Sequence, residues 1–444
     1  MTEARDTALK VLLEMRRGAW SDGALDDAIE RDGLDRRDAA LCTQLCYGIL
    51  QTRLMLDYTI AQASTLKLNK IAPKVMEILR LGAYQLLFLD KIPASAAVNE
   101  AVGQAKRFAN PRAAAFVNAV LRRIADTGRP NIPRDDLTEY LSITYSHPKP
   151  LVKLLLEHFG DAETEELLKA NNTPAPTSIR FNTLKGTPDE LAAALEGDGL
   201  TFTRDADLPF AATLQNAGRI TDLRAFNEGL FTVQDTASQL DVLVLDPQTG
   251  EEILDLCAAP GGKSFHIAAV TGNNARIIAC DIYETKLTLI DEGCDRLGIT
   301  CIETVPIDAT RYVPRFRDRF DRVLVDVPCS GLGVIRKKPD IRYRDLSEIA
   351  LLPKLQAEIL YNAGLYVKPG GTLVYSTCTI LPNENEDIVR AFLDACPEFT
   401  LTPFTLPGRG DCDGMRTLLP HRDGTDGFFI AKLTRTGIPE TADE

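Results

Sequence analysis

The sequence predicts a multidomain protein in which an all-helical N-terminal domain and a small α+β insert precede an α/β domain built on a parallel sheet. Three observations carry this. Residues 1–125 keep a helical apolar spacing throughout, as in Ala8, Val11, Leu12 and Met15, and again in Phe116, Val120, Leu121 and Ile124. From Val242 onward, short apolar runs alternate with longer amphipathic ones, the pattern of parallel strands joined by crossover helices. At 444 residues the chain is also too long for one hydrophobic core of ordinary size.

The helical domain has expected bounds 1–128. Gly33, Pro73, Pro93 and Pro111 cut it into short helices, because proline tolerates only the first turn and glycine ends a helix at little cost. Cys42 and Cys46 lie one turn apart. With no histidine or second cysteine pair beside them, they read as core residues rather than metal ligands. Between Gln104 and Arg123 the chain holds Lys106, Arg107, Arg112, Arg122 and Arg123 and no acid, either a solvated face or a phosphate-facing one. A proline- and glycine-bearing linker, Thr127 to Pro133, closes the domain.

The middle segment, 137–240, is helical from Leu137 to Ala170. It then mixes strand-like runs, Ser178–Asn182 and Leu230–Val233, with a helix near Asp189–Leu195. The third segment, 241–435, offers strands at Ile253–Cys257, Arg276–Cys280, Ile302–Ile307, Asp321–Val325, Gly371–Ser376 and Phe428–Leu433. Helices are expected between them at Glu284–Leu297, Leu346–Val367 and Glu384–Ala395. The Phe428–Leu433 run suits an antiparallel edge strand, and 436–444 reads as a tail. Trp20, Cys396 and Cys412 read as structural.

A net charge of −13 argues against indiscriminate nucleic-acid binding. Its distribution is uneven: residues 1–128 carry +3 and the remainder −16, so a polyanion would have to meet local basic patches. The ten cysteines are scattered, the first residues form no apolar leader, and no stretch is long enough to span a bilayer. A cytoplasmic monomer with free thiols and no membrane partner is the expectation.

The chemistry centres on Leu254-Asp-Leu-Cys-Ala-Ala-Pro-Gly-Gly-Lys-Ser264. A buried strand here turns through glycines onto a helix N-terminus, where a ligand can approach bare backbone and free N–H donors. Gly262-Lys263-Ser264 imitates the end of a P-loop, but that motif needs a glycine where Cys257 stands, and the dinucleotide G-x-G-x-x-G is absent. Asp281, Asp308 and Asp326 each close a later strand, and Ser376-Thr-Cys378 closes another, so these groups should share the sheet's carboxyl edge. Carboxylates suit ribose hydroxyls, an adenine amino group and a cationic ligand. With no pyrophosphate cradle, they point to S-adenosylmethionine rather than ATP or NAD. His147, His158, His266 and His421 have no metal spacing, and no metal is expected.

Two cysteines stand at adjacent strand ends: Cys329 in Asp326-Val-Pro-Cys-Ser-Gly331 and Cys378 in Tyr375-Ser-Thr-Cys-Thr379. Together with the glycine loop, these motifs resemble the RNA 5-methylcytosine methyltransferases, specifically the bacterial small-subunit ribosomal RNA enzymes of the RsmB (Sun/Fmu) family. Val327 departs from the commoner alanine and leaves both thiols in register. The resemblance spans nearly the whole chain. It implies a Rossmann-like class I methyltransferase domain with a NusB-like helical RNA-binding domain before it. It further implies that Cys257, Ala258, Ala259, Pro260, Gly261, Gly262 and Lys263 wrap S-adenosylmethionine. Asp281 would hold its ribose and Asp308 its adenine, with Asp326 near the methionine end and the base. Cys378 would be the nucleophile and Cys329 would assist product release; ribosomal RNA is the implied partner.

Carbon 5 of cytosine is a poor nucleophile, and addition of a thiolate to carbon 6 turns the ring into an enamine that can attack an electrophilic methyl. A free thiol has a pKa of about 8.5, so local cations should help, and Lys263 is a candidate neighbour. The target base must be unstacked, which favours a looped RNA over a duplex. Directly after the Cys329 turn, Arg336, Lys337, Lys338 and Arg342 are expected to contact RNA phosphates, with Lys106, Arg107 and Arg112 as a second surface. Arg180-Phe-Asn182 also resembles a family motif. The rivals are amino-group methylation of a base, which needs no thiol, and an RNA-binding or antitermination factor with an inactive methyltransferase domain.

Overall fold

The computed structural model describes residues 2–18, 21–215 and 218–436; Trp20 and 437–444 of the expected tail lie outside them. The chain forms two compact units, Met1–Thr173 with Ile335–Arg344, and Pro174–Val334 with Asp345–Glu444.

The first unit is helical. Its helices span Thr2–Met15, Ser21–Arg31, Arg36–Ala63, Pro73–Phe88, Ala94–Phe108 and Pro111–Thr127, followed by Leu137–Tyr145 and Lys149–Ala170. The proline at the start of three of these sits in the first turn, where its missing N–H costs nothing. Side chains of Asp35, Asn110 and Asp136 cap the helices that follow them. Cys42 and Cys46 are buried in the core between Leu45, Ile49 and Leu79. The helices of 137–170 lie in this compact unit, and the Met55 N–H donates to Ser146 Oγ at 3.2 Å. Residues 335–344 fold here too, as a short 3-10 turn over Pro339–Tyr343.

In the second unit, β1 (Thr177–Phe181), β2 (Thr201–Arg204), β3 (Ala211–Gln215) and β4 (Phe231–Val233) form an antiparallel sheet in the order β2-β3-β1-β4. The helix Pro188–Gly197 starts with a reciprocal Thr187–Glu190 capping box. The larger sheet contains β5 (Glu252–Asp255), β6 (Arg276–Asp281), β7 (Ile302–Pro306), β8 (Phe320–Asp326) and β9 (Val367–Thr377). After the short hairpin of β11 (Phe404–Leu406) and β12 (Gly410–Cys412), it also takes in β13 (Met415–Leu418) and β14 (Phe428–Arg435), with β10 (Phe399–Leu401) at one end.

The order is β10-β14-β9-β8-β5-β6-β7, with β5 to β9 parallel. β14 returns antiparallel to β9 as expected, but it is not an edge, since β10 and β13 both pair with it. Its burial explains this: Phe428 to Ala431 are buried on both faces, as in an interior strand. The expected helix 346–367 is two helices, Leu346–Ile349 and Leu352–Tyr366, the second with Pro353 in its first turn. Chain order reverses between β5 and β8, which opens a crevice at their carboxyl ends. No helix among the described residues is long and apolar enough to cross a membrane.

Candidate active site

The glycine loop leaves β5 at that reversal. Ser264 Oγ donates to Asp255 Oδ2 at 2.6 Å, tying the first turn of the helix Gly262–Val270 to the strand end. Gly261 has φ +102°, and a Cβ there would stand 2.6 Å from Phe265 Cζ, so the turn requires glycine. The helix start has no side-chain cap, and Asp255 Oδ1 is buried without a hydrogen-bond partner among the described residues. Cys257 packs against the core, and burial pushes its thiol well above the ordinary range. Ala258 is buried, Ala259 half-buried and Pro260 exposed.

Lys263 is buried and ion-paired with Asp326 and, at 3.3 Å, with Asp241. Burial opposes its charge, but Asp326 and Asp241 outweigh burial and hold the ammonium above its usual range. Burial pushes the Asp255 carboxyl up to about 7 and that of Asp241 to about 6. The expected neighbour of the nucleophile thus has carboxylates as its hydrogen-bonding partners.

The two cysteines meet. Cys329 Sγ lies 3.1 Å from Cys378 Sγ, and both are free thiols. The hydrogen bond to Cys378, and then burial, push the Cys329 thiol well above its ordinary range, so Cys329 keeps its proton. Two glycines bring the loops together. The Gly333 N–H donates to Cys378 O at 3.0 Å, and the Gly427 N–H to Gly333 O at 2.8 Å. A Cβ on Gly333 would come within 1.9 Å of Gly427 O. Glu384, fully buried, ties both cysteine loops: its Oε2 accepts from the Ser330 N–H (2.9 Å) and Gln356 Nε2 (2.8 Å), and its Oε1 from Thr379 Oγ1 (3.4 Å). In the β8–β9 ladder Asp326 stands opposite Ser376, two residues before Cys378.

Asp281 ends β6, where its Oδ1 accepts from the Tyr283 N–H at 3.1 Å. Asp308, two residues past β7, accepts from Thr310 N–H and Oγ1, and the Thr310 hydroxyl holds its carboxyl below the usual range. Asp281, Asp308, Asp326, Cys329 and Cys378 therefore all lie at or just beyond the carboxyl ends of β6 to β9.

The RNA-facing expectations fare differently. Arg342 does not face RNA as expected, because it is buried. It is 1% exposed; its Nη1 donates to Gln51 O, Tyr145 O, Ser146 O and Asn172 Oδ1, and its Nη2 to Asn171 O. Ile335, Ile341 and Tyr343 draw the basic run into the helical unit, so counting its cations did not reveal which of them face water. Arg336 and Lys337 are half-buried and Lys338 exposed. Arg107 is paired with Asp6 at 2.7 Å, while Lys106 and Arg112 are exposed. Arg180 is buried and its Nε donates to Gln234 Oε1 at 2.7 Å; Asn182 Nδ2 donates to Gly229 O and Leu297 O. Sequence reasoning missed Asp241, Glu384 and the glycine pair. Asp241 had one visible signal, a lone acid in the apolar run Leu240 to Leu245.

Comparison with known proteins bears on the whole chain. Residues 242–434 match the family of 16S rRNA methyltransferase RsmB/F, residues 2–126 the NusB family, and residues 147–221 the ferredoxin-like domain of RsmF/B-like methyltransferases. A Bacillus subtilis (strain 168) protein named "Probable ribosomal RNA small subunit methyltransferase B" is 37% identical over 98% of this chain and 99% of its own. The Vibrio cholerae ribosomal RNA small subunit methyltransferase B is 39% identical over 90% of each chain. Among solved structures, that of PH0851 superposes with a TM-score of 0.82 at 30% identity over 98% of each chain. A methyltransferase homolog from Pyrococcus horikoshii gives 0.60 at 28% identity, covering 68% of this chain and 99% of that one.

Proposed function

The chain belongs to the RsmB/F family of 16S ribosomal RNA methyltransferases, and on that premise we propose that it methylates carbon 5 of a cytosine in small-subunit ribosomal RNA through a covalent adduct on Cys378. The observation that carries this reading is the 3.1 Å approach of two thiols in one site, with Cys329 the partner that keeps its proton.

The residues around the glycine loop fit S-adenosylmethionine. Bare glycine backbone and an uncapped helix start can meet its carboxylate, and Asp281 and Asp308 can meet its ribose and adenine. Ile282 and Tyr283, 56% and 57% exposed beside Asp281, offer an apolar face to the adenine ring. When bound, this cofactor supplies an electrophilic methyl on a sulfonium sulfur.

The chain's own residues do the rest. The Cys378 thiolate adds to carbon 6, forming a carbon–sulfur bond and moving the ring's π electrons onto carbon 5. Asp326 accepts a hydrogen bond from the exocyclic amino group and so orients the ring. Once carbon 5 carries the methyl, its proton leaves to solvent water, the electrons of that carbon–hydrogen bond restore the ring double bond, the carbon–sulfur bond breaks and the Cys378 thiolate is released. Cys329, which keeps its proton, donates a hydrogen bond to the departing sulfur and so assists release.

The test is methylation of a small-subunit RNA transcript with bisulfite mapping of the product. A single protected cytosine in wild type, lost in Cys378→Ala, supports the reading. Transfer to a nitrogen, or full activity in Cys378→Ala, refutes it. Cys329→Ala should accumulate a covalent protein–RNA band on denaturing gels, and its absence would remove the release role.

A further inference from the structure

Asp241 sits on the helix Thr236–Leu245 and is fully buried. Its Oδ2 accepts from Ser376 Oγ at 2.7 Å and pairs with Lys263 Nζ at 3.3 Å. Its Oδ1 has no hydrogen-bond partner among the described residues. The charged groups facing it are Lys263 from the helix after the glycine loop, Asp326 from the end of β8 and Asp255 from the end of β5; Ser376 of β9 is its neutral neighbour. A buried ion pair gives little net stability compared with apolar packing of the same volume, and a buried oxygen left unpaired adds a further penalty. Packing alone would be better served here by valine or leucine, so the carboxylate calls for another explanation.

We propose that Asp241 is a positioning residue for methyl transfer: it holds one side of the Lys263 ammonium, keeping that charge shared between two carboxylates so that Asp326 remains available to the target base. This rests on the reading in the preceding section. With Asp241 ionised, Lys263 bridges it to Asp326. With a proton on Asp241, the attraction for Lys263 falls and the ammonium is held by Asp326 alone, competing more strongly with the base for that carboxylate. Since burial pushes the Asp241 carboxyl up to about 6, the changeover lies just below neutral pH.

The experiment is the pH dependence of single-turnover methyl transfer to small-subunit RNA by wild type and Asp241→Asn. A single required ionisation gives an acid limb that falls with one proton. Ionisation of Asp241 as well steepens that limb towards two protons in wild type, over about one pH unit below about pH 6, until the extra loss reaches the deficit of Asp241→Asn. Asp241→Asn should follow one proton throughout, be about tenfold slower near pH 8, and bind S-adenosylmethionine within about twofold of wild type. The same two-proton limb in Asp241→Asn, or a wild-type rate near pH 8, overturns the proposal. Asp241→Ser, with room for a water, is the second variant should Asp241→Asn not fold, and it must show the same single-proton limb. Failure of the underlying reading looks different: Cys378→Ala would then keep its activity whatever the shape of the Asp241 limb.

Discussion

Arg342 in the helical unit and Lys263 in the sheet unit are both buried cations, and their surroundings are opposite. Arg342 meets neutral oxygens among the described residues, four backbone carbonyls and the Asn172 amide. Burial pulls its guanidinium down to about 10, and burial and then Arg342 hold the neighbouring His147 well below the usual histidine range. Lys263 lies between the carboxylates of Asp326 and Asp241, with Asp255 acting on it from β5. Carbonyl oxygens do not titrate near neutral pH, so Arg342 is a clasp with one state. Carboxylates do titrate, so the Lys263 cluster has several. A buried charge points to chemistry when its partners can also change charge.

Replacing either cation should separate the two environments. The largest expected effect is on activity: Lys263→Met should lower methyl transfer by about a thousandfold, because it unpairs two carboxylates in the site, while Arg342→Met should leave the chemical step of the folded enzyme within about threefold of wild type. A comparable loss in both would erase the distinction. Next comes stability. Arg342→Met leaves buried carbonyls without donors and should cost about 2–3 kcal/mol in denaturant melts, the penalty for buried acceptors left unsatisfied. A loss below about 1 kcal/mol would show that water replaces the guanidinium.

Third is a pH effect with a definite sign. Asp255 titrates at about 7 in the folded chain against 3.8 for an ordinary aspartate. Its contribution to stability is therefore fully present below about pH 4 and lost as pH rises through 7. Asp255→Asn should be more stable than wild type at about pH 8, by on the order of 2–4 kcal/mol, and lose that advantage towards pH 4. An advantage that grows on acidification would contradict the assignment. The smallest effect concerns RNA: reversing the charges of exposed Lys106 and Arg112 should weaken binding modestly and lower the salt slope by roughly 0.7–0.9 for each phosphate that is no longer neutralised. An unchanged slope would make that surface merely solvated.

The order of elements, the sheet edge and the paired thiols were legible because each has a local signature. Apolar runs mark the strands, glycines mark the loop, and a cysteine at a strand end announces itself. What escaped depends on which way side chains turn after folding. Arg342 and Lys338 belong to the same basic run, yet one is buried and the other exposed, because the hydrophobic residues between them decide the turn. Glu384 reads as an ordinary helix-start acid until the loops of Cys329 and Cys378 close around it. Gly333 and Gly427 are far apart in the chain, and only their close approach shows why neither can carry a side chain.

The most direct measurement uses a small-subunit RNA transcript in which 5-fluorocytosine replaces cytosine, incubated with the enzyme and S-adenosylmethionine. Fluorine cannot leave carbon 5 as a proton does, so the adduct persists, and protease digestion with mass spectrometry reads the attachment point. The nucleotide is expected on Cys378. Attachment to Cys329, or no adduct at all while ordinary RNA is methylated, would contradict it.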